Sequence, residues 1–335
     1  MLIVGKKILT IFKRIIIWGC LTILLVILML ILLVKYMNKR EENFLDFAQN
    51  VFVIVSQTED GGYQVDEVVQ ENYITDWDYS ESRATLLFAN EIEGNIIEKN
   101  LITGAEEILI IPGLEKMVEK HIQEMMQQFE YFNVDEYDVR TLMLRFLPQY
   151  LPNDDDISFT VGDSIYLWHR DKNEVEKVDI PPNPLRSGPK RYHWMENGDL
   201  IFVYRSQKRG NGLARWYKEG GKVEDIGYNM EAFLLDEEKK VIYGIYEEIY
   251  WNENLGYYNS FSLIEKNWET KEERRIMEKY TSENTYELAH EGDKLFYVDE
   301  GIWITKQEII CVDIRTGIDE SIYHTDNLIE GIIVQ

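Results

Sequence analysis

Five histidines, two cysteines and 60 acidic residues are the groups that could do chemistry in this 335-residue chain. Their spacing argues against most of it. His121, His169, His193, His290 and His324 stand far apart, with no H-E-x-x-H pair to put two imidazoles on one helix face. Cys20 and Cys311 are too few for a zinc cage. No G-x-S-x-G elbow supports a serine nucleophile, and no glycine loop is built to cradle a phosphate. Asp154-Asp155-Asp156 lacks the spaced ligands and the glycine of a calcium loop, so a solvated turn is expected there. Paired carboxylates for glycoside hydrolysis are defined in space and not in sequence, so the acids leave that chemistry open. The pattern assigns no catalytic residue, no metal ligand and no cofactor.

The charge bounds the partners. Thirty-five basic against 60 acidic residues give a formal net charge of −25. Such a surface repels nucleic acid, whose binding rests on neutralising phosphates, and repels anionic headgroups. With Cys20 in an apolar run and Cys311 in a predicted strand, no disulfide can form within the domain, and Cys311 is expected as buried filler. About 290 residues can bury a sizeable core without such staples.

The elements that would position any site begin with a membrane span. Ile15 to Val34 carries no charge; at about 1.5 Å per residue it would cross about 30 Å of hydrocarbon. Lys6, Lys7, Lys13 and Arg14 precede it, and Lys35, Lys39 and Arg40 follow, so the positive-inside bias favours a cytoplasmic N-terminus narrowly. A cleaved signal would have a shorter apolar region and a small-residue cleavage site. A lipid-modified Cys20 would sit poorly behind Trp18. The expected order is a cytoplasmic segment (1–14), a transmembrane helix (15–34), a juxtamembrane linker (35–49) and an extracytoplasmic domain (50–335) on a single-pass membrane protein.

Within that domain, short apolar bursts recur: Thr85-Leu-Leu-Phe88, Gly162-Asp163-Ser-Ile-Tyr166, Gly198-Asp199-Leu-Ile-Phe202, Lys240-Val-Ile-Tyr243 and Gly292-Asp293-Lys-Leu-Phe296. Each reads as a tight turn and a buried strand. A further strand pair joined by a polar turn follows, as at Thr103-Gly104 and Thr316-Gly317. A period of about 36 to 50 residues with three or four strands per unit marks the blades of a β-propeller. The expected fold is all-β, a propeller of about six blades (five to seven). Five units fall near 72–111, 153–181, 190–227, 229–279 and 284–324. Residues 50–70 and 328–335 would pair to close the ring.

Two departures stand out. Between Pro112 and Pro152, Leu114, Met117, Val118, Ile122, Met125, Met126, Phe129 and Phe132 recur at three- and four-residue steps, the stripe of an amphipathic helix. Asp135 could cap a second helix through Phe146 and Leu147, ended by Pro148. The prediction is a helical hairpin inserted at about 113–150, either packed on the propeller or serving as a binding lid. The second departure is Trp251 to Tyr258, a lengthened loop or hairpin rich in aromatics. Met117, Met125, Met126, Phe129, Trp251 and Tyr257 are the candidate partner-binding residues, since methionine adapts to varied surfaces and aromatics carry contact area.

The Gly-Asp starts at 162, 198 and 292 and the Thr-Gly turns at 103 and 316 resemble those of bacterial WD-repeat-like and TolB-like β-propellers, over most of residues 50–335. The fourth unit departs, with Lys239-Lys240 in place of Gly-Asp. The resemblance implies an interaction platform and carries over no catalytic residue. The leading expectation is a membrane-anchored, non-enzymatic propeller that binds a protein or small ligand outside the cell membrane. The alternatives are a propeller glycoside hydrolase or lyase acting on cell-surface glycans and a sensory ectodomain of an envelope signalling system.

Overall fold

The computed structural model describes residue 35 and residues 49–70, 77–90, 93–128, 145–181, 186–206, 210–228, 230–252, 256–280, 288–299 and 307–335. The expected span at 15–34 lies outside the described residues, and among the described residues no helix is long and apolar enough to cross a membrane.

Strand sequences such as Thr85–Asn90 are apolar at consecutive positions rather than at alternate ones, which demands burial on both faces. The architecture meets that demand with six sheets. β1 (Asn50–Gln57) and β2 (Tyr63–Gln70) are the first described strands. Blade 1 follows with β3 (Trp77–Ser80), β4 (Thr85–Asn90), β5 (Asn95–Asn100) and β6 (Glu106–Ile108). After helix α1 (Leu114–Gln128), blade 2 has β7 (Gln149–Tyr150), β8 (Ile157–Val161), β9 (Ser164–His169) and β10 (Glu174–Lys177). Blade 3 comprises β11 (Arg186–Trp194), β12 (Leu200–Ser206), β13 (Gly210–Trp216) and β14 (Val223–Tyr228). In blade 4 are β15 (Met230–Asp236), β16 (Val241–Asn252), β17 (Gly256–Asn267) and β18 (Glu273–Tyr280). Blade 5 is β19 (Leu288–Glu291), β20 (Lys294–Asp299), β21 (Gln307–Asp313) and β22 (Asp319–Thr325). β23 (Leu328–Val334) completes blade 6 in the order β2-β1-β23.

Blades 1 to 5 are four-stranded antiparallel sheets; β3 neighbours β7, β11 neighbours β15, β15 neighbours β19, and β19 neighbours β23 of blade 6. The core is divided among the seams. Leu86, Phe88 and Ile97 meet Phe52 and Ile333 of blade 6, while Leu87, Ala89 and Ile96 meet Ile157 and Phe159 of blade 2. Successive residues of one strand thus serve opposite seams, as the period of two requires. The same division repeats between blades 2 and 3, 3 and 4, 4 and 5, and 5 and 6.

The ring closes as expected, by pairing the two ends of the domain, but in parallel: Asn50 lies opposite Leu328 and Val55 opposite Val334. Glu67 on β2 fastens this blade to blade 5. Its carboxylate accepts from Tyr323 Oη (2.9 Å), Thr325 Oγ1 (2.6 Å) and Asn327 Nδ2 (2.8 Å). On the other side, Trp77 Nε1 donates to the carbonyl of Glu330 at 3.0 Å. A side chain at Gly331 would strike the Trp77 indole.

Three expectations need correction. Blade 2 starts at Gln149 and not near 153, and its Gly162-Asp163 turn joins the second and third strands, whereas Gly198-Asp199 and Gly292-Asp293 join the first and second. The shared need is a left-handed residue in a tight turn, met at Gly162 (φ +59°), Gly198 (φ +81°) and Gly292 (φ +58°), whatever the strand pair. In blade 4 the left-handed residue is Lys240 (φ +58°). Finally, one helix of the expected hairpin is present, and residues 129–144 lie outside the described residues. Phe146 and Leu147 are not helical: Leu147 has φ +39° before Pro148, and the Phe146 carbonyl accepts Thr160 N at 2.5 Å, extending the strand path beside β8. Proline restricts the residue before it away from the helical region.

Candidate functional site: the face that carries the insertions

Antiparallel strands send alternate links to opposite ends of a blade, so the propeller has two unlike faces. One receives the turns from first to second and from third to fourth strands, none longer than the six residues of 151–156 or 217–222. The other receives the remaining links, among them 109–148 with α1, and the end of the β16–β17 hairpin.

The tight face is built from repeated local chemistry. Asn100 Oδ1 accepts from the amides of Ile102 and Thr103, at 3.0 and 2.8 Å, and from Thr103 Oγ1, which in turn accepts from Ala105 N. Asp313 with Thr316 repeats the same bonding, and Asn267 with Thr270 repeats its backbone part. Sequence reading singled out the Thr-Gly pair and missed the Asn or Asp three residues before the Thr, although N-x-x-T-G, N-x-x-T-K and D-x-x-T-G stand at 100, 267 and 313. Turns of neighbouring blades also touch. Ser82 Oγ donates to Asp154 (2.7 Å), Glu196 N to Glu237 (2.9 Å) and Lys239 Nζ to the Gly292 carbonyl (3.1 Å). The Asp154–Asp156 turn is capped by Asn153, and Asp156 holds His169 Nδ1 at 2.9 Å. That hydrogen bond raises the His169 pKa.

At the seam of blades 1 and 2 a charged cluster lies toward this tight face. Glu98 is 9% exposed and accepts from Arg83 (3.3 Å), Arg170 (3.1 Å) and Tyr150 Oη (2.8 Å). Burial pushes its carboxyl up, but the hydrogen bonds from Arg170 and Tyr150 and the charge of Arg83 outweigh it and hold it below the usual range. Beside it, Asp78 on β3 accepts Tyr150 N at 2.7 Å, and burial pushes its carboxyl up to about 7. Around the axis, Gln149 Nε2 on β7 donates to the Tyr192 carbonyl on β11 at 2.5 Å. His193 on β11 is exposed, yet desolvation by the surrounding protein pushes its imidazole down to about 4. Among the described residues no group of three acidic, His or Cys side chains converges to hold a metal ion.

On the opposite face, α1 turns Leu114, Val118 and Ile122 into the seam of blades 1 and 2. Of the candidate partner-binding residues, Met117 and Met125 pack partly buried against that core, and Met126 is 37% exposed. Phe129 lies outside the described residues. His121 rests on Gly162, where an added Cβ would come within 2.7 Å of its ring. Trp251 and Tyr257 sit directly opposite each other in the β16–β17 ladder, so the structure gives the lengthened element as a hairpin. The helix and hairpin residues belong to one face but to blades 1–2 and 4 respectively. Exposed Ile108 and Ile110 flank the start of the 109–148 link.

The fold and its unlike faces define a six-bladed β-propeller. Among solved structures, the chain is similar to TolB of Acinetobacter baumannii (TM-score 0.50, 12% identity, covering 80% of this chain and 62% of that one). A TolB-type protein of Agrobacterium tumefaciens gives 0.53, 9%, 81% and 89%, and a chain of a nidogen/laminin complex gives 0.52, 10%, 84% and 97%. The chain therefore spans less than two thirds of the Acinetobacter protein. At these identities the likeness speaks to fold: the propeller is TolB-like. No protein-family model matches the sequence, and no curated protein does.

Proposed function

We propose that this chain is a non-enzymatic binding platform, held at a cell membrane by the helix of residues 15–34, with the propeller outside the cytoplasm and its partner engaged on the insertion-bearing face. The observation that carries the reading is the segregation of insertions: the 109–148 link and the long hairpin share one face, while the other keeps only short turns tied to one another. In repeat folds, insertions gather on the face that binds. The net charge of −25 favours partners with basic surfaces and disfavours nucleic acid.

Photo-crosslinking in native membranes tests this with the full chain. Crosslinking residues at Ile110 and Met126 report on the insertion face; at Ile102 and Ile318, both exposed in tight-face turns, they report on the other. A discrete adduct from the first pair and none from the second is expected. Adducts from the tight face alone would overturn the assignment. Protease added outside intact cells should cleave the propeller and spare residues 1–14; protection of the propeller would reverse the topology.

A further inference from the structure

Blades 1 and 2 meet without a short covalent link. Links between the other neighbouring blades run from the single residue 229 to the eight of 178–185, whereas the 40 residues 109–148 separate β6 from β7. The first strand of blade 2 is also short. β7 has two residues, against four to nine in the first strands of blades 1, 3, 4 and 5. Its ladder to β8 has two rungs, Gln149–Ser158 and Tyr150–Ile157. Side chains therefore help to hold the chain where the insertion returns to the ring. From blades 2 and 3, Thr160 Oγ1 donates to the Arg145 carbonyl (2.9 Å) and Tyr192 Oη to the Leu147 carbonyl (2.7 Å).

Toward blade 1 the bonds of β7 converge on Tyr150. Asp78 on β3 accepts its N–H at 2.7 Å. Its Oη donates to Glu98 on β5 (2.8 Å) and lies 2.9 Å from Thr85 Oγ1 on β4. Tyr150 packs in the same core as Leu114, Val118 and Ile122 of α1, so what holds Tyr150 also supports the helix. The charged groups of this seam are Arg83 and Glu98 on blade 1 and Asp154, Asp156, His169 and Arg170 on blade 2. On the far side of β3, Glu330 of β23 presents its carbonyl to Trp77, and Leu87 on β4 lies opposite Asp78. Both arginines are engaged by Glu98. Asp78 is left with burial, which raises its pKa, with the Tyr150 and Tyr79 amides, which lower it, and with the charge of Asp154, which raises it again. The closed contact thus favours the protonated carboxyl, and an open one, with the carboxyl in water, favours the anion.

We propose that the Asp78–Tyr150 contact is a proton-dependent clasp between blades 1 and 2: closed while Asp78 carries its proton, it opens as Asp78 ionises, and its opening loosens the footing of α1 on the insertion-bearing face. The inference rests on the platform reading and gives that platform a control by pH. The folded carboxyl titrates at about 7 and an opened one near 4. Opening is therefore favoured about tenfold for each pH unit between those values, and levels off above 7.

The test uses the full chain in detergent and reads hydrogen exchange at the Tyr150 amide from pH 5 to 8, corrected for the intrinsic rate. In wild type, protection at Tyr150 should lie below that of the slowest core amides, fall about tenfold per unit from pH 5, and level above 7. Asp78→Asn keeps an oxygen for the Tyr150 N–H and should flatten the profile. His169→Asn removes another group of this seam that titrates near neutrality and should keep the slope. A flat wild-type profile overturns the proposal, as does a slope that survives Asp78→Asn. Protection at Tyr150 equal to that of the slowest amides would mean that only global unfolding frees it, and that no clasp exists. Should Asp78→Asn fail to fold, His169→Asn decides: loss of the slope there would move the titration to His169 and overturn the assignment. The crosslinked adduct at Met126 should change between pH 5 and 8 in wild type and stay constant in Asp78→Asn. An adduct indifferent to pH, with the slope present, would strike out the coupling to α1. An adduct with a flat exchange profile would sink the clasp and leave the platform standing. The slope without any insertion-face adduct would keep the clasp and remove the platform.

Discussion

The two faces of the propeller are made from the same strands and differ in what holds them. On the tight face a short turn is capped by its own Asn or Asp, and neighbouring turns exchange hydrogen bonds from blade to blade. On the other face the helix α1 stands on packing through Leu114, Val118 and Ile122, and the hairpin on the β16–β17 ladder. Local polar bonding fixes a turn at little cost in sequence. Packing frees the outer surface of an insertion to vary. A face of short bonded turns opposite one that carries the insertions is the arrangement that the proposed binding platform would use.

The seam of blades 1 and 2 is where the comparison can be broken most forcefully. These blades lack a short covalent link, since 109–148 intervenes, and the Glu98 cluster ties them at the tight end instead. Glu98→Ala leaves Arg83 and Arg170 without their shared anion in a partly buried site. A loss of about 3 kcal/mol is expected, read by denaturant unfolding. Asp199→Ala supplies the control: Asp199 pairs with Arg215 at 2.6 Å inside blade 3. If the cluster fastens blades together, Glu98→Ala lowers the cooperativity of unfolding and Asp199→Ala does not. Equal cooperativity would make Glu98 an ordinary buried ion pair.

Asp78 sharpens the same seam through pH. Its folded-state carboxyl titrates at about 7, above the ordinary value near 4. Between those values the folded protein holds a proton that the unfolded chain has released, so the contribution of Asp78 to stability is greatest below about pH 4 and falls as pH rises toward 7. Asp78→Asn keeps an oxygen for Tyr150 N and removes the titration. It should be more stable than wild type by about 2 kcal/mol at pH 8, with the gap closing by pH 4. A gap independent of pH would mean that Asp78 is not the titrating group.

Much of the fold could be read in the chain because a propeller repeats its signals. Consecutive apolar residues such as Leu86, Leu87 and Phe88 already imply burial on two faces, and glycines at left-handed turns mark the strand starts. The hidden parts lack such repetition. Gly162-Asp163 misled because a tight turn has the same needs between any two strands. β7 is two residues long and has no periodicity to detect. Glu98, Asp78 and Glu67 look like any of the 60 acids. They bond to residues 72, 72 and 256 to 260 positions away, and sequence spacing carries no trace of such pairs. The candidate face was legible only as irregularity, at 113–150 and 251–258. That the two irregularities share one face follows from strand direction.

Smaller changes separate the two faces themselves. Gly162→Ala meets a left-handed backbone and the His121 ring together, and should cost about 1.5 kcal/mol. His121→Ala in the same chain should recover the steric part and leave the backbone part, a double-mutant coupling of about 0.5 kcal/mol. No coupling would mean that the helix adjusts freely over blade 2. Asn267→Ala, on the tight face, removes only a turn cap and should cost about 1 kcal/mol. Its turn lies on the face opposite the long hairpin. Asn267→Ala should therefore leave the Ile110 adduct unchanged, whereas Gly162→Ala should alter the adduct at Met126, which shares helix α1 with His121. If the tight-face change also altered those readouts, the two rims would be mechanically coupled, and the division of labour between a fixed rim and a variable one would fail.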